Sequence, residues 1–490
     1  MMKKIASPEC LKETSAADRE SPVPGATFRI LPDPLLDHPL IGLGVEAEPP
    51  PFLWRDPKHV TPPLRARIWE VIERRLALLR PAIARLFCMP EQWNPSLDGR
   101  TYTWDHPDLQ EYLRMIRFLD RLGCGINLVL FTQFREPIET QRRAVYAMIG
   151  FIQKLRDDLG IRNIRWLTLF NEPESVFRQD SPLARAIFGH DPPLHTWDEY
   201  VSLNRMAMEL LRDHRMGDIR LVVPDVAWGG RMRRERMTLT AAAFPTEDVC
   251  FSYHHYNPED REYYETVPDA FQYDGLQEEV ERYRRLIGPT RQLIVWEFNY
   301  IGRGFDTHNP GVDTKGRIAL EAPDAGAHVA YRVINSLRYG VDGLCLWHMN
   351  DGDVNKFGLW RSPNEHFGFK PHWYAFRLLT AAFRPGQWVL RVEGDSPAIS
   401  LVATRDGQEK LRAALVNTSE TPAIAEIRSA DCDWRLAYRV GPVPSPSSSD
   451  EGLDIHDQPV AMERTGILRI PLEPWELVVL SNDRLDRLQE

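Results

Sequence analysis

The stretch GINLVLFTQFREPIETQRRAVYAMIGFIQKLRDDLGIRNIRWLTLFNE, residues 125–172, decides the fold. It opens on an apolar run, GINLVLFTQF (125–134), continues through RRAVYAMIGFIQKLRDDLG, whose apolar positions recur at helical spacing, and closes on a second apolar run, WLTLFNE (166–172). Neither run alternates strictly between apolar and polar, the pattern of a strand covered on both faces. Strand, amphipathic helix and strand in succession form the repeating unit of a parallel sheet. Outward from this unit the pattern repeats. Six more runs follow the same rule: LIGLGVEAE (40–48), IARLFCM (83–89), IRLVVPDVAW (219–228), VCFSYHHY (249–256), QLIVWEFNY (292–300) and GLCLWHMND (343–351). Helical patterns separate them, among them RARIWEVIERRLALL and LQEYLRMIRFLDRL. Eight units at intervals of about 30 to 50 residues predict a closed (β/α)8 barrel, an α/β fold, rather than an open doubly wound sheet.

The glycines of IGLGVEA (41–47) have the spacing of a dinucleotide fingerprint, but the chain continues into Glu48 and Pro49-Pro50-Pro51. Without a helix N-terminus there is nothing to hold a phosphate, and no cofactor is expected. From residue 386 the pattern changes to short strand-like runs without helical periodicity: WVLRVE, AISLVATR, KLRAALVNTS, AIAEIRS, WRLAYRV and ILRIPLEPWELVVLS. These predict an antiparallel β-sandwich, with PVPSPSSSD (442–450) as an internal loop. The expected organisation is a flexible N-terminal tail over 1–25, a catalytic barrel over 26–385 and a β-sandwich over 386–490. A chain of 490 residues, 43% hydrophobic and 27% charged, has room for both domains.

A net charge of −10 disfavours a surface built for nucleic-acid phosphates. The arginines from Arg231 to Arg236 read as one solvated helix face. Six scattered cysteines form no CxxC pair, which points to a reducing compartment, with Cys88, Cys250 and Cys345 as buried thiols in strands. Lys3 and Lys4 are not followed by the apolar run of a signal peptide, and no run approaches the roughly 18 residues of a membrane span. Cytoplasmic residence without membrane association is therefore expected. His190, His195, His366 and His372 lack the spacing of a metal site.

In a (β/α)8 barrel chemistry sits at the carboxyl ends of the strands. Two runs end there in a carboxylate: LTLFNEPES presents Asn171 and Glu172, and LIVWEFNY presents Glu297. Pro173 keeps Glu172 out of helical geometry. Retaining cleavage of an acetal uses two carboxyl groups about 5 to 5.5 Å apart, one protonated and one ionised. Strands four and seven face each other across a barrel and can bring these groups together. Their environments are expected to differ, one carboxyl raised by burial and the other kept low by hydrogen-bond donors.

NEP at the end of strand four and WEFN around strand seven resemble clan A, the "4/7" superfamily of retaining glycoside hydrolases, with features of families 39, 30, 51 and 5. The resemblance spans the barrel. It implies Glu172 as acid/base, Glu297 as nucleophile, and Asn171 as a hydrogen-bond partner of the sugar 2-hydroxyl and the nucleophile. His254 and Tyr256 share one strand face, with His255 opposite; the pair is similar to the clan's His-x-Tyr, in which Tyr donates to the nucleophile and His lines the sugar subsite. Arg85, a charge inside an apolar run, needs a paired carboxylate. The resemblance makes that partner Glu297; a structural salt bridge lower in the barrel is the alternative. Trp347 either stacks on the sugar or packs in the core. Gln133 stands where family 5 places a His. Glu46 either binds sugar hydroxyls or is a satisfied structural carboxylate. The reading is a retaining β-glycosidase acting on oligosaccharides or glycosides through a covalent glycosyl-enzyme. The alternatives are a catalytically silent carbohydrate-binding barrel and a transglycosylase using the same residues.

Overall fold

The structure, a computed structural model, describes residues 24–49, 60–131, 137–173, 195–227, 230–256, 275–300, 320–352, 356–429, 433–442, 457–460 and 466–485. After an N-terminal strand β1 (Pro24–Pro34), eight parallel strands follow: β2 (Gly42–Glu46), β3 (Ile83–Cys88), β4 (Gly125–Leu130), β5 (Ile164–Thr168), β6 (Arg220–Val226), β7 (Cys250–His255), β8 (Leu293–Phe298) and β9 (Gly343–Leu346). They pair in chain order, and β9 returns to β2 to close the barrel. Seven of the eight runs read from the sequence contain one of these strands whole, and the run at 166–172 overlaps the end of β5 at 166–168.

Eight helices among the described residues follow the strands one by one: α1 (Pro62–Leu79), α2 (Pro107–Arg121), α3 (Ile138–Asp157), α4 (Trp197–Asp213), α5 (Gly230–Ala243), α6 (Leu276–Ile287), α7 (Ala325–Tyr339) and α8 (Pro371–Ala382). Their apolar stripes bury against the outward residues of the strands, such as Val45, Leu86, Leu128 and Phe251, in one continuous core. Helix α4 starts on a capping box, with Thr196 Oγ1 accepting from Glu199 N–H and Glu199 Oε2 accepting from Thr196 N–H. The basic stretch of α5 is not a solvated face, because Arg233 is buried against Glu279 of α6 at 3.1 Å and Arg236 lies 4.6 Å over the Trp197 ring.

The remaining strands, β10 (Trp388–Glu393), β11 (Ile399–Arg405), β12 (Leu411–Asn417), β13 (Ala423–Arg428), β14 (Leu436–Val440), β15 (Asp457–Pro459), β16 (Ile467–Leu472) and β17 (Leu477–Ser481), join β1 in one sheet. Its order is β15-β14-β17-β12-β11-β10-β1-β13-β16. The sandwich is thus a single curled, mostly antiparallel sheet, closed over Phe28, Leu401, Leu415, Ile470 and Val478. Strand β1 lies inside it, antiparallel to β10 and parallel to β13, so the boundary expected at residue 26 puts this segment in the wrong domain. Strand pairing across some 360 residues leaves no periodic trace, and Pro32 and Pro34 mask the run as a strand. Of the expected tail, 1–23 lies outside the described residues, as does most of the 442–450 loop.

The sheet seats on the barrel through α7 and α8. Asn335 of α7 donates to Ser400 Oγ at 3.0 Å, and Trp475 of the β16–β17 turn packs on His328, which stacks 4.2 Å from Tyr300 just after β8. No helix among the described residues is long and apolar enough to cross a membrane.

Barrel closure demands a glycine at Gly44, where a Cβ would lie 1.8 Å from the Ile83 carbonyl oxygen on β3. Gly44→Ala is expected to cost about 4 kcal/mol or more in urea unfolding, because a neighbouring backbone cannot step aside. Gly217→Ala, which meets nothing within 4 Å, should stay within about 0.5 kcal/mol of the parent.

Candidate active site

Inside the barrel the side chains form layers. The floor is apolar, built from Ile83, Trp166, Val222, Cys250, Ile294, Trp296 and Cys345. One layer toward the carboxyl ends the alternation of each strand turns polar: Glu46 on β2, Arg85 on β3, Asn127 on β4, Thr168 on β5 and Ser252 and His254 on β7 all point inward. Regular alternation would send Glu297 outward, since Trp296 before it faces the floor. A register irregularity in the pairing of β8, between Val295 and Phe298, lets both face inward. Strand β6 shows a second irregularity, between Pro224 and Val226, where Asp225 takes a left-handed backbone with φ 59° and turns into the interior.

Arg85 is fully buried at the centre of this layer. Its Nη1 donates to Glu297 Oε1 and lies 3.5 Å from Glu46 Oε2; its Nη2 donates to Asn171 Oδ1 at 2.6 Å and to Asp225 Oδ2 at 2.7 Å. Tyr256 OH donates to Glu297 Oε2 at 2.6 Å. His254 Nδ1 stands between the two glutamates, 3.1 Å from Glu172 Oε1 and 3.3 Å from Glu297 Oε2. The His254 nitrogen and one oxygen from each glutamate all lie within 4.8 Å of one another. These groups are close enough to encircle a cation, but we assign them no metal, because Arg85 and the His254 ring already supply the positive charge.

The electrostatics follow from burial. His254 is raised to about 10: desolvation opposes its charge, but Glu297, Asp225 and Glu172 together outweigh it. Its neighbour His255, on the other face of β7, is pushed well down by burial and by Arg332 and Arg233. Burial lifts the Glu297 carboxyl above its ordinary value, while His254, Arg85 and the Tyr256 hydroxyl pull it back. Burial also raises Glu46 strongly and Glu48 to about 8. Asp225 runs the other way, because Arg85 and His254 overcome its desolvation and hold it at about 2. The carboxyl that burial raises, Glu297, is also the one surrounded by hydrogen-bond donors, so the expected division of these two influences between the glutamates does not hold. Glu297 is the buried one, its side chain 4% exposed against 35% for Glu172, so the donors around Glu297 counter a burial penalty instead of lowering an ordinary carboxylate.

Of the residues singled out in the sequence, Glu46, Arg85, Asn171, Glu172, His254, Tyr256 and Glu297 meet in this one network. Asn171 reaches Glu297 through Arg85. Trp347 stands at the rim, part-exposed, edge-on to Phe87 at 5.9 Å, and Phe87 lies beneath the Arg85 guanidinium. Gln133 lies outside the described residues. Two members of the network were not singled out: Asp225, and Ser252, whose Oγ donates to Asp225 Oδ1 at 2.6 Å. The signal that marked Arg85, a charge inside an apolar strand run, is equally present in LVVPDVA and applies to Asp225.

No protein-family model matches the chain, and no curated protein matches its sequence. Solved structures do match its fold. The catalytic domain of GH30 xylanase C from Talaromyces cellulolyticus superposes with a TM-score of 0.60 at 12% identity, over 93% of this chain and 99% of that one. SrfJ from Salmonella typhimurium gives 0.63 at 11% identity, covering 94% and 93%. The thermostable GH51 α-L-arabinofuranosidase from Thermotoga petrophila RKU-1 gives 0.62 at 14% identity, covering 94% and 100%. The fold shared with these structures is a (β/α)8 barrel joined to a β-sheet domain. Families 30 and 51 are both represented among its structural neighbours, and at these identities neither is singled out.

Removing the central cation should expose the cost of burying its partners. Arg85→Met is expected to lose about 3–5 kcal/mol in urea unfolding at neutral pH. Combined with Glu297→Gln the loss should be clearly less than the sum of the single effects, because one stranded carboxylate is then neutral.

Proposed function

We propose that this protein is a retaining glycoside hydrolase in which Glu297 is the nucleophile and Glu172 the acid/base. The observation that carries the reading is that one oxygen of Glu172 and one of Glu297 lie within 4.8 Å of each other, from two different strands of the barrel. Inverting enzymes hold their carboxyls about 6.5–9.5 Å apart to admit a water, whereas retaining enzymes hold them at about 5–5.5 Å.

In the first step Glu297 attacks the anomeric carbon while Glu172 gives its proton to the departing oxygen, leaving a glycosyl ester on Glu297. In the second, Glu172, now a carboxylate, takes a proton from water as that water attacks the same carbon and releases Glu297. Tyr256 and Arg85 hold the attacking carboxylate in place through its two oxygens. Burial and the nearby negative charge raise the Tyr256 phenol well above its usual value, so it remains a donor throughout. Asn171 and His254 line the reacting sugar, Trp347 offers an indole face at the rim, and Glu46 is the innermost of these groups, fully buried beside Arg85.

The roles differ in their response to the leaving group. Glu297→Ala is expected to abolish turnover of every aryl glycoside. Glu172→Ala should lower kcat/KM by about 10²–10⁴ on glycosides with poor leaving groups and far less on dinitrophenyl glycosides, which need little protonation. Equal losses on both substrate kinds would contradict the assignment. Because the neighbours include a xylanase and an α-L-arabinofuranosidase, the panel should contain β-xylosides and α-L-arabinofuranosides beside β-hexosides. Proton NMR of the first-formed product should show retained anomeric configuration.

A further inference from the structure

Asp225 is out of reach of Glu297 through its own hydrogen bonds, yet it contacts the groups that surround both glutamates. Its Oδ2 accepts from Arg85 at 2.7 Å. Its Oδ1 accepts from Ser252 at 2.6 Å and lies 3.4 Å from His254 Nε2. Its backbone carbonyl accepts from the Glu172 N–H at 3.2 Å. The side chain is wholly buried. Reaching this position costs the chain a left-handed backbone at Asp225, next to a second at Glu172 with φ 51°, in a region that non-glycine residues seldom occupy. Alternation along β6 sends Val222 to the barrel floor, so residue 225 would face outward without that distortion.

We propose that Asp225 is a positioning residue that keeps His254 doubly protonated, so that a fixed imidazolium stands between the two catalytic carboxyls through both halves of the reaction. The inference rests on the glycosidase reading and gives it a charge-balancing device. Before attack the negative charge is on Glu297, 3.3 Å from His254 Nδ1. Once the ester forms, Glu297 is neutral and the charge resides on Glu172, 3.1 Å from the same nitrogen. One N–H therefore serves both carboxylates in turn without moving, while the other N–H faces Asp225. The proton count is unchanged: Glu172 gives one to the leaving oxygen and regains one from water, and His254 exchanges none.

Three carboxylates from three strands face His254 and favour its cationic form. Glu172 follows β5, Asp225 sits on β6, and Glu297 is on β8. Arg85, on β3, is tied to Asp225 and Glu297 and opposes the charge, whereas burial drives Glu46 and Glu48, beyond it on and after β2, toward their neutral acids. Ser252 and Tyr256, on the same inward face of the β7 segment, spend their hydroxyl protons on Asp225 and Glu297. Of the carboxylates in contact with the ring, Asp225 is the one whose charge need not change during turnover.

The test is Asp225→Asn in the full chain. The amide keeps an oxygen for Arg85 but turns its NH2 toward His254 Nε2, which can accept only if that nitrogen is unprotonated. Nitrogen-15 NMR of histidine-labelled protein, with the His254 signals assigned by His254→Gln, should show an imidazolium still present at pH 8 in the parent. In Asp225→Asn the ring should be neutral at that pH, its titration moved down by about three pH units or more. The alkaline limb of kcat/KM on an aryl glycoside should move down with it, leaving the variant about tenfold or more below its relative activity at pH 5.5 when assayed at pH 8. A ring that stays cationic in the variant, or a loss of activity uniform across pH, overturns the proposal. Should the variant not fold, a neutral His254 in the parent at pH 7 overturns it equally, and a cationic one supports it. Absence of turnover by the parent on all glycosides would instead remove the enzymatic reading, while the His254 titration would still report on Asp225.

Discussion

A guanidinium with no access to water sits at the middle of the barrel, and the rest of the site is arranged around the need to neutralise it. Arg85 alone would be untenable there. Glu297, Asp225 and Glu46 reach it from three other strands, and Asn171 satisfies a further N–H from the end of β5. Because Arg cannot give up its proton, the layer must contain negative charge at every working pH. That obligation favours the ionised form of Glu297 in a place where burial pushes toward the protonated one. The fully buried acids of this layer, Glu46, Glu48, Asp225 and Glu297, face two cations, Arg85 and His254. Neutrality is reached when Glu46 and Glu48 keep their protons, which is the direction in which burial drives both.

Geometry supplies the second constraint. A regular strand offers every other residue to the barrel interior, which suffices on β3, β5 and β7 but would leave Asp225 and Glu297 facing outward. The irregularities in β6 and β8 solve this by turning Asp225 and Glu297 inward next to residues that already face in. The floor, with Trp166 and Trp296 packed edge to face at 5.2 Å, gives these distorted segments a rigid base. The curled sheet adds support at the rim, through the stack of Trp475 and His328 on Tyr300 that follows the strand bearing Glu297.

The barrel was legible in the sequence because its strands are covered on both faces and its helices on one, so eight apolar runs and the helical patterns between them repeat in register with the fold. The carboxylates at the ends of two runs were legible for the same reason, and Arg85 stood out as a charge where none belongs. Asp225 carries the same signal, a charge within the apolar run LVVPDVA. Its inward turn depends on a left-handed backbone that no periodicity announces. The place of β1 in the distant sheet was hidden for a different reason: pairing between the two ends of the chain is set by tertiary packing, and local pattern records only that a segment is strand-like. The sheet being one curled surface instead of two separate ones is likewise a matter of strand order.

The central claim is that Glu297 becomes covalently bonded to the sugar. A 2-deoxy-2-fluoro glycoside with a good leaving group, of whichever sugar the protein turns over, slows release of such an intermediate enough for mass spectrometry of the intact protein and its peptides. The account predicts a mass increase of one fluoroglycosyl unit located on the peptide carrying Glu297. An adduct on any other residue, or steady turnover of the parent glycoside with no adduct formed from its fluorinated counterpart, would contradict it.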